Sequence, residues 1–150
     1  MKVLLLDGYN LMHRARHSMS RGYRGDHTIV YSFFRSLRPL IEKFNPDKTY
    51  FVLEGYPRHR MELAPDYKGT RKHHDRDGFQ AQKREIIRLM KDFFPVEVVR
   101  HKHYECDDVL ANIIKYDHPC DEVTVISTDT DFLQLYNQHE NVKVYSPTKK

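Results

Sequence analysis

The chain has 150 residues, 39% apolar and 31% charged, enough apolar mass for one core and too much for wholesale disorder. No apolar run approaches the about 18 residues that span a bilayer, which speaks against a membrane partner, and the short run over 1–6 meets Asp7 before it can form a secretory signal. Lys and Arg number 25 against 21 Asp and Glu, a net +4 that permits a polyanionic partner without demanding one. The two cysteines, Cys106 and Cys120, supply neither a disulfide framework nor a four-thiolate zinc site, so the chain reads as a reduced intracellular protein.

In chain order, residues 2–6 read as a buried strand. Residues 27–44 carry Ile29, Val30, Phe33, Phe34, Leu37, Leu40, Ile41 and Phe44 at helical spacing. A turn signal, Asn45-Pro46-Asp47, precedes a second strand over 48–53. A helix over 79–94 turns Ile86, Ile87, Leu89, Met90 and Phe93 inward and stops at Pro95. A third strand follows at 96–99, a helix at 107–116, a fourth strand at 122–127, a short helix at 132–136 and a fifth strand at 142–145. Strands alternating with helices predict an α/β fold with a doubly wound, mostly parallel sheet. The apolar runs are continuous rather than alternating, as for strands covered on both faces.

Ligands of such sheets sit beyond the carboxyl ends of the strands. Here those ends are acidic. Strand one ends Leu4-Leu5-Leu6-Asp7, strand two ends Phe51-Val52-Leu53-Glu54, and strand four runs into Asp129 and Asp131. Strand three leads to Glu105, Asp107 and Asp108 at a helix start. A parallel sheet gathers all of these at one edge, where the carboxylates repel one another unless cations intervene. Hard oxygen donors suit Mg²⁺ or Mn²⁺. Nucleic-acid enzymes use two such ions about 4 Å apart on a phosphodiester. Taken singly, the acids have structural readings: Asp107, Asp108 and Asp131 as helix caps, Asp7 as part of a turn with Gly8. Their joint placement is what points to a metal site. Cys106 lies among them, but no His-Asp pattern supports a nucleophile.

Residues 57–78 break the pattern. They lack apolar periodicity and hold Arg58, Arg60, Lys68, Arg71, Lys72 and Arg76 with three histidines. Cations beside an acidic, metal-binding rim suit a phosphate chain, and Tyr67 can stack on an unpaired base. A solvated mixed-charge loop is the plainer reading of this segment taken alone.

Five motifs in order carry a family resemblance. They are Leu4-Leu5-Leu6-Asp7-Gly8-Tyr9-Asn10, Phe51-Val52-Leu53-Glu54-Gly55, Arg60 with Asp66-Tyr67-Lys68-Gly69-Thr70-Arg71, Tyr104-Glu105-Cys106-Asp107-Asp108-Val109-Leu110-Ala111, and Ser127-Thr128-Asp129-Thr130-Asp131-Phe132-Leu133-Gln134-Leu135. Together they resemble the 5′-nuclease family of flap endonucleases, including phage enzymes and the 5′-exonuclease domains of bacterial DNA polymerase I. The resemblance implies a single PIN-like domain over 1–150 in the cytoplasm of a bacterial or phage-infected cell. It implies cleavage of DNA, or of RNA-primed DNA, at 5′ flaps and single-strand/duplex junctions in replication or repair, with Mg²⁺ or Mn²⁺ as cofactor, two ions per site.

The resemblance also implies roles. Asp7, Glu54 and Glu105 would hold the first ion, Asp107 would lie between the two, Asp129 and Asp131 would lead on the second, and Asp108 would support the cluster. Lys68 and Arg71 would contact the scissile phosphate, with Arg60 and Lys72 helping to bind the nucleic acid and Tyr67 stacking on a displaced base. Residues 57–94 would form an arch or clamp for the free 5′ strand. The chain departs from the family pattern at Glu54, where Asp is usual. It also ends at Lys150, where the family continues into a helix–three-turn–helix that grips duplex DNA; a separate polypeptide supplying that region is one expectation. Two other readings stay open: a non-catalytic junction-binding module and a PIN-type ribonuclease, the latter not accounting for the Tyr-Lys-x-x-Arg run.

Overall fold

The computed structural model describes residues 1–18, 27–55, 78–129 and 139–147. Their strands are β1 (Lys2–Asp7), β2 (Lys48–Leu53), β3 (Glu97–Arg100), β4 (Glu122–Ile126) and β5 (Val142–Tyr145). They form one parallel sheet in the order β3-β2-β1-β4-β5. Its helices are α1 (Gly8–Ser18), α2 (Thr28–Phe44), α3 (Phe79–Phe93) and α4 (Cys106–Asn112), the last continuing into a wider turn over Ile113–Asp117. The α/β fold with a parallel, helix-flanked sheet is therefore as expected.

β1 shows why the sheet is buried on both sides. Its side chains alternate between faces. Leu4 and Leu6 join the core under α1, α2 and α3, with Met12, Phe33, Ile86 and Met90. Val3 and Leu5 join a second core, against Val109, Leu110, Ile113 and Ile114 of α4 and the turn after it. A strand apolar at every position from Val3 to Leu6 can satisfy both layers at once.

Three local differences from the expected elements have physical causes. α1 was not foreseen: Leu11, Met12 and Ala15 are buried in the core and Tyr9 packs at its edge, while the helix also carries the polar His13, Arg14, Arg16 and His17. Phe93, expected inward, is 70% exposed at the last position of α3, where the chain turns toward Pro95 and loses the helical register. The helix expected over 107–116 is α4 plus the wider turn, in which the His118 N–H bonds the Ile113 carbonyl at 3.1 Å. The imidazole of His118 is held between the Tyr50 hydroxyl and Asp121, each at 2.8 Å. The strand expected at 96–99 is displaced by one residue, and the helix expected at 132–136 lies outside the described residues.

The first turn of α2 has no side-chain cap from its own N-terminal residue. Gln82 of α3 takes that part: its Oε1 accepts the Ile29 N–H at 2.7 Å and the Val30 N–H at 3.3 Å. Two of the orphan donors at the helix start are thus satisfied by a buried side chain from a neighbouring helix, which fixes α3 against α2.

Candidate active site

The sheet order defines where a site can lie. From β1 the chain builds outward through β2 and β3, then returns to place β4 on the other side of β1. The carboxyl ends of β1 and β4 therefore flank the topological switch point, the usual ligand crevice of open α/β sheets. Asp7 ends β1 at this place and is 5% exposed.

Donors from two distant segments hold the Asp7 carboxylate. Ser127, just beyond β4, donates its hydroxyl to Oδ2 at 2.7 Å, and the Cys106 thiol donates to Oδ1 at 3.3 Å. The Ser127 hydroxyl oxygen also accepts the Asp129 N–H at 3.0 Å, tying that acid to the same knot. Across the crevice, the side-chain oxygen of Asn10 accepts the Thr128 N–H at 3.0 Å, and its amide donates to the Thr128 hydroxyl at 2.8 Å. The start of α1 and the loop after β4 are thereby clasped together.

The second group of acids is anchored through Cys106. Its backbone N–H donates to Glu54 Oε2 at 3.3 Å, and the charges of Asp7, Glu54 and Asp107 all act on its thiol. Glu105, immediately before α4, is 4% exposed and gives its carbonyl to the Val109 N–H at 3.2 Å. Asp107 Oδ1 accepts the Asp108 N–H at 3.1 Å. Gly55 sets the spacing between Glu54 and Glu105, its N–H bonding the Tyr104 carbonyl at 2.9 Å. A Cβ on Gly55 would lie 1.9 Å from the His101 carbonyl oxygen, so only glycine permits this approach.

Burial is the main reason the Asp7 carboxyl rises above its ordinary pKa; hydrogen bonds from Ser127 and Cys106 pull it back, and the charge of Asp129 lifts it again. Burial likewise pushes the Cys106 thiol up, reinforced by Asp7, Glu54 and Asp107. The thiol is a neutral donor to Asp7, not a nucleophile. The donors are carboxylate oxygens and Asp7 is desolvated, the chemistry that suits a hard divalent cation. As they stand, no three His, Cys, Asp or Glu among the described residues are close enough together to hold an ion.

Of the acids expected at the rim, Glu54 accepts the Cys106 N–H, Asp7 accepts its thiol, Asp107 acts on that thiol through its charge, and Asp129 joins Asp7 through Ser127. Glu105 and Asp108 flank them at the start of α4. Asp131, Arg60, Tyr67, Lys68, Arg71 and Lys72 lie outside the described residues. The supporting side chains of Asn10, Cys106 and Ser127 had no role in the sequence reading, although all three stand inside its motifs. Their partners are 99 to 120 residues away along the chain.

Comparison with known proteins gives a family and a fold. The family model for the 5′-3′ exonuclease N-terminal resolvase-like domain matches residues 2–150. DNA polymerase I of Treponema pallidum is 32% identical over 145 residues, covering 89% of this chain and 14% of that protein. A 5′-3′ exonuclease of Mycoplasmopsis pulmonis is 27% identical over 148 residues, covering 93% of this chain and 48% of its own length. Among solved structures, the T5 D15 protein co-crystallised with metal ions superposes with a TM-score of 0.76 at 25% identity, covering 97% of this chain and 55% of that one. The chain thus spans about half or less of the proteins it matches. On these grounds the chain belongs to the 5′-3′ exonuclease N-terminal resolvase-like domain family.

Proposed function

We propose that this chain is a divalent-metal-dependent 5′ nuclease that hydrolyses phosphodiesters in DNA or RNA-primed DNA near single-strand/duplex junctions. The observation that carries this reading is the knot at the switch point: a buried Asp7 held by Ser127 and Cys106, with Asp129 tied in through Ser127 and Glu54 through the Cys106 N–H. Oxygen donors so placed are costly without a cation, and family membership supplies the reaction class.

In this reading residues 1–150 form one catalytic domain, with 57–94 as an arch for the free strand. Asp7, Glu54, Glu105 and Asp107 would hold one ion, and Asp107, Asp129 and Asp131 a second, with Asp108 supporting them. Mg²⁺ or Mn²⁺ held by these acids would supply charge neutralisation and Lewis acidity at the scissile phosphate. The chain itself does the positioning. Ser127 and Cys106 fix the Asp7 oxygens, the Asn10–Thr128 clasp closes the crevice, and the Gly55–Tyr104 contact sets Glu54 against Glu105. Lys68 and Arg71 would take the scissile phosphate, with Arg60, Tyr67 and Lys72 on the adjoining strand.

The test is incubation of the purified chain with end-labelled 5′-flap DNA, and with its RNA-flap counterpart, in Mg²⁺ or Mn²⁺. Cleavage near the junction that chelator stops and Asp107→Asn abolishes is the expected result. Junction binding with no cleavage in either metal would overturn the nuclease reading in favour of a binding module.

A further inference from the structure

The acidic knot has a cationic neighbour on the side of the rim carried by α1 and α3. Arg100, the last residue of β3, donates from Nη2 to the Tyr9 hydroxyl at 2.6 Å. Its guanidinium carbon is 5.9 Å from the centre of the Tyr9 ring. Lys83 of α3 approaches the same ring, its Nζ 5.1 Å from the Tyr9 centroid and 4.8 Å from that of Phe79. Arg16 of α1 lies over Phe79 at 4.6 Å. Three cations from three separate elements thus converge on two adjoining rings. The place is the active rim itself, since Tyr9 stands two residues after Asp7 and its hydroxyl feels the charge of Glu54.

The Tyr9 and Phe79 rings hold these like charges together by their negative faces. That accounts for the order of the cluster, and the charge of Arg100 asks for a counterpart. Arg100 is exposed, and among the described residues no ion pair involves it. One of its five N–H donors goes to a neutral phenol, and the guanidinium is fixed in place with donors left for an anion. The anion expected beside a row of carboxylates that binds nucleic acid through cations is the backbone phosphate.

We propose that Lys83 and Arg100, arranged about the Tyr9 ring, form a phosphate-binding subsite for the nucleic-acid strand that enters the acidic rim. This rests on the nuclease reading and adds to it a contact surface built from α1, α3 and the end of β3. The phosphate is either an internal diester of the strand or its 5′-terminal monoester. The two share the chemistry, and the substrate design separates them.

The experiment is fluorescence anisotropy of labelled 5′-flap DNA, with Ca²⁺ in place of Mg²⁺, across a salt series. The proteins are the wild type, Arg100→Gln, Arg100→Lys, Lys83→Gln and Tyr9→Phe. Arg100→Gln and Lys83→Gln should each weaken binding about tenfold, the size of one charge-assisted hydrogen bond. Each should also flatten the plot of log Kd against log salt by about 0.7 for one lost phosphate contact on a single strand. Arg100→Lys should keep the salt slope, and Tyr9→Phe should weaken binding without changing it. Losses seen equally with 5′-phosphate and 5′-hydroxyl flaps assign an internal diester; losses confined to the phosphorylated flap assign the terminus. Folded variants that match the wild type in both affinity and slope would overturn the subsite and leave the nuclease reading standing. A wild type that neither binds nor cleaves flap DNA would overturn both.

Discussion

Replacing Gly55 with alanine tests how closely the two arms of the acidic rim must be spaced. The new Cβ would lie 1.9 Å from the His101 carbonyl oxygen and 2.6 Å from that of Tyr104. Both obstacles are backbone, so no rotamer change relieves them. Ordinary contact begins at 3.4 Å, so the loop before Glu105 and the end of β2 must part by about 1.5 Å. Glu54 is covalently next to Gly55 and Glu105 next to Tyr104, so the parting falls directly on two proposed ligands. Catalytic constellations tolerate about 0.5 Å, and a displacement of about 1 Å costs on the order of 100-fold in rate. Overpacking of this kind destabilises by about 1–3 kcal/mol, a Tm loss of about 2–12 °C for a chain of this length. The assay is kcat/KM on 5′-flap DNA with Tm measured in parallel. Gly55→Ala should lose at least about 100-fold in kcat/KM while still melting cooperatively. A folded Gly55→Ala protein within threefold of wild-type kcat/KM would refute the spacing argument.

Ser127→Ala removes a buried donor to Asp7 and the acceptor for the Asp129 N–H. It should cost about 1–3 kcal/mol in thermal or urea denaturation. Because that hydrogen bond lowers the Asp7 pKa, its loss should also move the acid limb of the cleavage–pH profile upward. At the opposite end of the sheet, the hydrogen bond from His118 holds Asp121 below its ordinary pKa, aided by the amino group of Met1. A depressed carboxyl stabilises above its unfolded value and loses that contribution as pH falls through its folded value. Tm should therefore drop more steeply below about pH 4 in the wild type than in Asp121→Asn. Gln82→Leu leaves two buried or half-buried N–H groups at the start of α2 without their acceptor and should lower stability by about 1–3 kcal/mol in urea melts.

The sheet was legible because parallel strands buried on both faces must be apolar throughout, as Leu4-Leu5-Leu6 and Phe51-Val52-Leu53 are. The rim was legible for a related reason: an acid closing an apolar run has only the strand end to occupy, which is where Asp7 lies. α1 was not, since Asp7-Gly8 has the signature of a turn and the helix buries just Leu11, Met12 and Ala15, with Tyr9 at the core's edge. Gly8 is instead needed because α1 starts against β2: a Cβ there would meet the Val52 carbonyl oxygen at 2.7 Å. Phe93 misled because periodicity does not say where a helix stops. The knot around Asp7 depends on pairings that no local pattern encodes, Ser127 to Asp7 across 120 residues and Cys106 to Asp7 across 99.

The most direct test is calorimetric titration of Mn²⁺ into the wild type and into Asp7→Asn, without nucleic acid. The wild type should bind, with saturating metal raising Tm by the linkage amount, about 2.7 kcal/mol of stability at 100 times Kd. Asp7→Asn should lose both the heat and the Tm shift while remaining folded. A wild type that takes up no Mn²⁺, or an Asp7→Asn protein that binds it as tightly, would contradict the assignment of these acids to a metal.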